Sequence, residues 1–303
     1  MSQHQILIVG CGSIGERHLR CFLRTGRAEV SICDNNLTRL REIQHKYGVP
    51  TYDDVQAAWA DRRFDGTVIC TPAHQHVELA LAGLGHGAAL LIEKPLSVNL
   101  DQVAALQEEV RHRGQYVAVA YTHHVRPGIT EVRELIRRPA LGAVLHITIQ
   151  AGQHFPSFRP AYREIYYAHH ETGGGAIQDA LTHLANTVEW LVGATTRLYC
   201  EAAHQCLEGV SVEDTVNVAA RHGDILASYA LNQFQAPDET TILIHCARGS
   251  VKIEFHKERW SVWSGGQTSW EHHAAPVRHR DDLFVAQANE FNKVEAFGIV
   301  IHE

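Results

Sequence analysis

Short apolar runs alternate with longer amphipathic segments over residues 1–122. The runs 6–9, 29–33, 67–70, 90–92 and 117–121 predict strands, with a further short piece at 49–52. Between them, Ile14, Leu19, Phe22 and Leu23 fall on one helical face, as do Leu37, Leu40, Ile43 and Tyr47. Asp53 and Asp54 predict a cap before a helix over 55–60. Further helices are predicted over 74–85 and over 99–113, the latter carrying Leu100, Val103, Leu106 and Val110 on one stripe. Continuous apolar strands separated by helices predict a parallel sheet covered on both faces, an α/β doubly wound domain ending at residue 122.

After Tyr121 the rhythm changes. A helix over 128–137 leads to a long strand over 142–151, a loop rich in Arg and Tyr, glycines 173–175 and a helix over 176–192. Strand-like runs follow at 197–206, 213–222, 225–234, 240–248, 251–256 and 259–264, with breaks at Gly209, Gly223, Pro237 and Gly249. Such a series predicts an α+β domain over 123–303 with a large open antiparallel sheet. One sheet face packs on helices. Val216, Val218, Ala227, Tyr229, Leu231 and Phe234 are read as apolar residues of the other face, which predicts a homodimer or homotetramer formed through the sheet.

Composition narrows the class. The 303 residues are 45% hydrophobic and 20% charged, ordinary for a globular chain of two domains. A formal net charge of −7 argues against nucleic acid or an anionic membrane as partner. Of seven cysteines, Cys33, Cys70, Cys200 and Cys246 lie in apolar runs and no C-x-x-C pair occurs. Reduced thiols and a cytoplasmic location are expected. No basic-then-apolar leader precedes Ile6, and no apolar run is long enough for a membrane span. The 22 histidines include the pairs His123–His124, His169–His170 and His272–His273, but none has zinc-ligand spacing, so no metal is expected.

The first candidate site is the turn after the first strand. Gly10, Gly12, Ser13, Ile14 and Gly15 form a G-x-G-x-x-G that opens a helix, the arrangement that admits a dinucleotide pyrophosphate. Asp34 ends the second strand about 20 residues on, where an acid bonds the adenosine ribose hydroxyls. A carboxylate there repels a 2′-phosphate, so NAD is favoured, although Arg39 nearby keeps NADP open. Two further motifs close parallel strands, where an open α/β sheet places its ligand: Thr71-Pro72-Ala73-His74-Gln75-His76 and Glu93-Lys94-Pro95. In the second domain, the run Gly173 to His183 sets Asp179 and His183 four apart, on one face of a helix.

In this order the motifs resemble the glucose–fructose oxidoreductase/inositol dehydrogenase/MocA (Gfo/Idh/MocA) family over nearly the whole chain. The resemblance implies a Rossmann domain and hydride transfer between a nicotinamide cofactor and a hydroxyl carbon of a sugar, sugar derivative or polyol. It implies His183 as general base, Asp179 orienting it or binding an adjacent hydroxyl, and Lys94 bonding the reacting oxygen. Glu93 would hold the nicotinamide ribose, and Thr71, Pro72 and His76 would line the cofactor. It also implies a cis bond between Lys94 and Pro95, and one cleft shared by Lys94, Asp179 and His183. An NAD-dependent glycoside hydrolase with transient redox, or a non-catalytic dinucleotide-dependent regulator, are the alternatives.

Two segments depart from the family pattern. Thr122-His123-His124-Val125-Arg126 stands where members carry an aromatic residue and an Asn-Arg-Arg-like run, and 296–303 looks foreign, which suggests truncation or a frame change. In the loop before the second motif helix, Arg159, Tyr162 and Arg163 are candidate substrate-binding residues suited to a carboxylate or phosphate.

Overall fold

A computed structural model describes residues 3–293. The chain folds into two compact units, one built from the segment up to Thr122 and again from His279 onward, the other from His123–Arg278. The first unit runs β1 (His4–Val9), α1 (Ser13–Arg24), β2 (Ala28–Cys33), α2 (Leu37–Tyr47), β3 (Thr51–Tyr52), α3 (Val55–Asp61), β4 (Gly66–Ile69), α4 (His76–Leu84), β5 (Ala89–Ile92), α5 (Val103–Arg113) and β6 (Val117–Val119). The strands form a six-stranded parallel sheet in the order β3-β2-β1-β4-β5-β6. The order reverses direction beside β1, which sets the glycine turn at the switch point. Alternate β1 residues serve opposite faces. Ile6 and Ile8 pack with Leu19, Phe22 and Ile43, whereas Leu7 and Val9 pack with Ala58, Trp59 and Phe64. Asn36 caps α2 through the Arg39 N–H, and Asp54 caps α3 through that of Ala57.

The second unit runs α6 (Ile129–Ile136), β7 (Val144–Gly152), α7 (Phe155–Phe158), α8 (Thr182–Val192), β8 (Arg197–Ala203), β9 (Thr215–His222), β10 (Ile225–Asn232), β11 (Glu239–Cys246), β12 (Gly249–Glu254), β13 (Arg259–Ser264) and β14 (Glu271–Ala274). Its eight-stranded sheet has the order β14-β13-β12-β11-β7-β10-β9-β8. The sheet is antiparallel except at one place. β7 slots between two meanders and lies parallel to β10, so the large antiparallel sheet expected from the sequence holds one parallel pair. The residues read as an outer apolar face are also corrected. Val216, Ala227, Tyr229 and Leu231 are buried in the core beneath α6 and α8, together with Ile147, Ile149 and Val188. Large apolar side chains that do stay exposed in this sheet include Leu226 and Trp263.

The chain then returns to the first unit as α9 (Arg280–Phe291). The Arg20 guanidinium donates to both Asp281 carboxylate oxygens at 2.6 and 2.9 Å, and Phe291 meets Phe22 edge-on at 6.0 Å. A domain running from 123 to 303 therefore gives up this helix, because α9 covers the apolar stripe of α1. The unusual segment 296–303 lies outside the described residues. No described helix is long and apolar enough to cross a membrane.

Candidate functional site

In the first unit the three glycines do different things. Gly10 has φ +101°, and a Cβ there would lie 2.7 Å from the Cys70 carbonyl oxygen. A Cβ on Gly15 would run into the Gly10 carbonyl, so only glycine lets α1 seat on the turn. On Gly12 it would meet open space. Gly12 is the N-cap of α1 and offers no side-chain hydrogen bond, leaving the first-turn N–H groups of Ser13, Ile14 and Gly15 to an anion. The Asp34 carboxylate accepts from the Cys11 N–H at 2.5 Å and the Asn36 N–H at 2.8 Å, which holds it at the edge of the turn. Arg39 donates to Glu16 at 2.5 Å, to Glu42 at 2.8 Å and to the Cys11 carbonyl at 3.1 Å. Lys46 and Tyr47 also bond Glu16, and these contacts, with Arg39, hold its carboxyl down at about 2. Arg39 is thus engaged by acids rather than poised for a 2′-phosphate.

The two strand-end motifs are tied together. His76 is buried, with Nδ1 2.9 Å from the Pro95 carbonyl and Nε2 2.8 Å from the Thr71 carbonyl. Both ring nitrogens face main-chain carbonyls, and the one N–H of the neutral ring donates to one of them, so His76 braces the two loops. Burial holds its pKa below the ordinary value, against the pull of the two carbonyls. Pro72 is exposed, whereas Thr71 Oγ1 is buried without a protein partner. Glu93 is buried and accepts from His18 Nε2 at 2.7 Å and from the Lys94 N–H at 3.1 Å. His18 and Lys94 keep Glu93 ionised against burial, with its pKa below the usual range. The Lys94–Pro95 bond is cis. The open space at Gly12, the uncapped α1 terminus and the orphan Thr71 hydroxyl all suit a dinucleotide.

In the second unit Gly175 turns at φ +91°, and Glu213 accepts from the Ile177 N–H at 2.8 Å while bonding His170 at 2.6 Å. This anchors the start of the motif helix. Residues Ile177–Leu181 form a π-helical turn before α8, so Asp179 sits on the wider turn and His183 on regular helix. Asp179 is 8% exposed and accepts from the Tyr166 hydroxyl at 2.5 Å. Arg159 Nη1 donates to the same hydroxyl at 2.7 Å and stands 3.5 Å from the Asp179 carboxylate. Arg159 therefore belongs to the Asp179 constellation. Tyr162 and Arg163 do not. Tyr162 is buried against Phe155 and Tyr167 with its hydroxyl on the Glu208 carbonyl, and Arg163 donates to that same carbonyl. His183 has His123 beside it, ring centroids 5.5 Å apart. No described group of three or more His, Cys, Asp or Glu residues gathers as a metal site.

Residues 4–121 match the family model described as an oxidoreductase family, NAD-binding Rossmann fold, and residues 129–252 match the Gfo/Idh/MocA C-terminal domain. The chain belongs to the Gfo/Idh/MocA oxidoreductases. Among named relatives of this family member, inositol 2-dehydrogenase of Burkholderia vietnamiensis is 27% identical over 194 residues, covering 62% of this chain and 54% of that protein. The rhizopine catabolism protein MocA of Rhizobium meliloti is 24% identical, covering 64% and 58%. The chain thus spans little more than half the length of these relatives. The fold matches levoglucosan dehydrogenase, solved with NADH and levoglucosan, at a TM-score of 0.88 and 18% identity over 99% of this chain and 92% of that one.

Four contributors escaped the sequence reading. His18 carried one signal, a polar residue on the buried stripe Gly15, Leu19 and Phe22 of α1. Tyr166 lay in the Arg- and Tyr-rich loop without standing out there, and Glu16 and Thr187 carried no signal, because Arg39 and His123 reach them from 23 and 64 residues away.

Proposed function

We propose that the protein is an NAD-dependent dehydrogenase that oxidises a CH–OH carbon of a neutral cyclic polyol or sugar. The observation that carries the neutral class is the Asp179–Tyr166–Arg159 constellation. Arg159, the cation suited to an acidic substrate, is already paired with a buried carboxylate. Its charge is balanced there, so an anionic substituent finds little excess positive potential.

Each residue has a distinct task. Asp179, fixed by Tyr166, accepts a hydrogen bond from a substrate hydroxyl or from His183 and holds the reacting group in place. His183 removes the hydroxyl proton, which the chemistry requires as hydride departs from the same carbon. The Lys94 ammonium donates to the reacting oxygen and stabilises negative charge developing there. Glu93, held by His18, accepts from a nicotinamide ribose hydroxyl, and Asp34 from the adenosine ribose. Bound NAD supplies the hydride acceptor. Asp34 beside the turn, and Arg39 engaged by Glu16, support NAD over NADP.

The test follows NADH absorbance with purified protein, NAD and a panel of myo-inositol, levoglucosan, neutral pyranoses, uronic acids and nucleotide sugars. Turnover of neutral members is expected. Turnover confined to acidic sugars overturns the substrate class. Release of an alcohol from a glycoside with no net NADH overturns the dehydrogenase reaction.

A further inference from the structure

The segment that departs from the family pattern meets His183 in the second unit. The His123 ring stacks on Phe255 at 5.2 Å and faces His183 at 5.5 Å, while the Arg126 guanidinium lies 4.7 Å from the Phe255 ring centre. His123 Nδ1 is 2.7 Å from Thr187 Oγ1, and that hydroxyl donates to the His183 main-chain oxygen at 2.6 Å.

Counting protons fixes the ring. A threonine hydroxyl has one proton, and here it goes to the His183 carbonyl. Toward His123 the hydroxyl can only accept, so Nδ1 must be the donor. A neutral imidazole has one N–H, which leaves Nε2 as a bare acceptor. Burial, reinforced by Arg126 and His124, pushes the His123 pKa down to about 3, so the ring stays neutral and keeps this tautomer at working pH. No hydrogen bond from a described residue reaches Nε2. Two imidazoles therefore stand side by side, and the base His183 must also offer a lone pair to substrate. One hydroxyl cannot serve both, because it has a single proton.

We propose that His123 is a specificity-determining residue whose Nε2 accepts a hydrogen bond from the hydroxyl next to the one His183 deprotonates, so that the site selects vicinal diols over isolated alcohols. This inference rests on the dehydrogenase reading and deepens it. A substrate lacking the neighbouring hydroxyl leaves Nε2 desolvated and unpaired, and one with an ether there brings two acceptors together.

Two variants separate the edges of the ring. In His123→Asn the amide N–H replaces Nδ1 toward Thr187, and the Nε2 acceptor is lost. In His123→Gln the amide oxygen stands near the Nε2 position, and the Thr187 bond is lost. With NAD, the kcat/KM ratio of cyclohexane-1,2-diol over cyclohexanol is expected to fall about tenfold in His123→Asn and to survive in large part in His123→Gln. The pH profile of kcat stays that of the parent. An unchanged ratio in His123→Asn overturns the proposal, as does an equal loss for both substrates in both variants, which marks mere packing on His183. Ring 15N resonances of the parent protein give a readout free of turnover. The Nδ1–H tautomer without titration from about pH 5 to pH 9, and an Nε2 shift on adding myo-inositol to the NAD complex, are expected. An Nε2–H tautomer overturns the proposal. Nε2 responding to polyol without any NAD reduction upholds it while removing the dehydrogenase reading.

Discussion

Glu16 decides what Arg39 can do. The guanidinium is held against Glu16, whose carboxyl is kept ionised by Lys46 and Tyr47 as well. Glu16→Gln weakens that hold and frees a cation near Asp34, the acid proposed for the adenosine ribose. NADP affinity should rise several-fold with NAD affinity nearly unchanged, as read by calorimetry. Unchanged NADP binding would place Arg39 away from the ribose. Asp34→Ala has a double effect, because the carboxylate also receives the Cys11 and Asn36 N–H groups. It should narrow the NAD preference and also weaken NAD binding by about tenfold, since the turn loses two charge-assisted bonds. At this scale the G-x-G-x-x-G, Asp34 and the strand-end motifs were legible, because each glycine or charge answers a local demand. Glu16 and Thr187 were not legible, because their roles depend on partners, Arg39 and His123, that the fold brings together.

Among elements, the loops after β4 and β5 depend on one side chain. His76, the first residue of α4, joins the Thr71 and Pro95 carbonyls. His76→Ala should cost about 1–3 kcal/mol in urea unfolding, because a buried carbonyl loses its donor and the ring leaves a gap between the loops. It should also raise the NAD dissociation constant by loosening the Thr71 turn. A variant of parent stability would reduce His76 to a space-filler. The end of β12 carries a pH signature. Despite burial, Arg259, Lys257 and Lys252 hold the Glu254 carboxyl down at about 2. A carboxyl depressed on folding adds stability that is complete above its unfolded pKa, about 4.3, and lost as pH falls through about 2. Thermal stability should therefore drop across that window, with Glu254→Gln flattening the drop and lowering stability at neutral pH. A parallel acid profile in the variant would assign the loss to other carboxyls. The strands of the first sheet were readable as continuous apolar runs. β14, the run Glu-His-His-Ala, was not, because it lacks the apolar residues that mark a strand. The parallel β7–β10 pair escaped too, since alternation tells which face a residue serves and not which strand lies alongside. The π turn at Asp179 is silent in sequence for a similar reason, as four residues of either helix return a side chain to nearly the same face.

For the molecule as a whole, the decisive fact is that the first unit is discontinuous. Periodicity placed the boundary near residue 122 but could not assign α9, whose apolar residues suit any helix-accepting surface. Its partners on α1 settle the matter: Asp281 on Arg20 and Phe284 against His18 at 5.2 Å. A fragment ending at residue 122 should show weak, non-cooperative unfolding by circular dichroism, and a peptide of residues 279–293 added in trans should sharpen the transition. Cooperative unfolding of the fragment alone would make α9 dispensable.

The same discontinuity sets a schedule for synthesis. About 160 residues separate β6 from α9. At ribosomal speeds that interval lasts about 10–30 s. Throughout it the nascent sheet shows the apolar stripe of α1, with Phe22 and the hollow beside Gly66 where Phe291 will lodge. The second unit is complete before the first can close. The half that holds the glycine turn is therefore the last to finish, and it is the half that chaperones would find open.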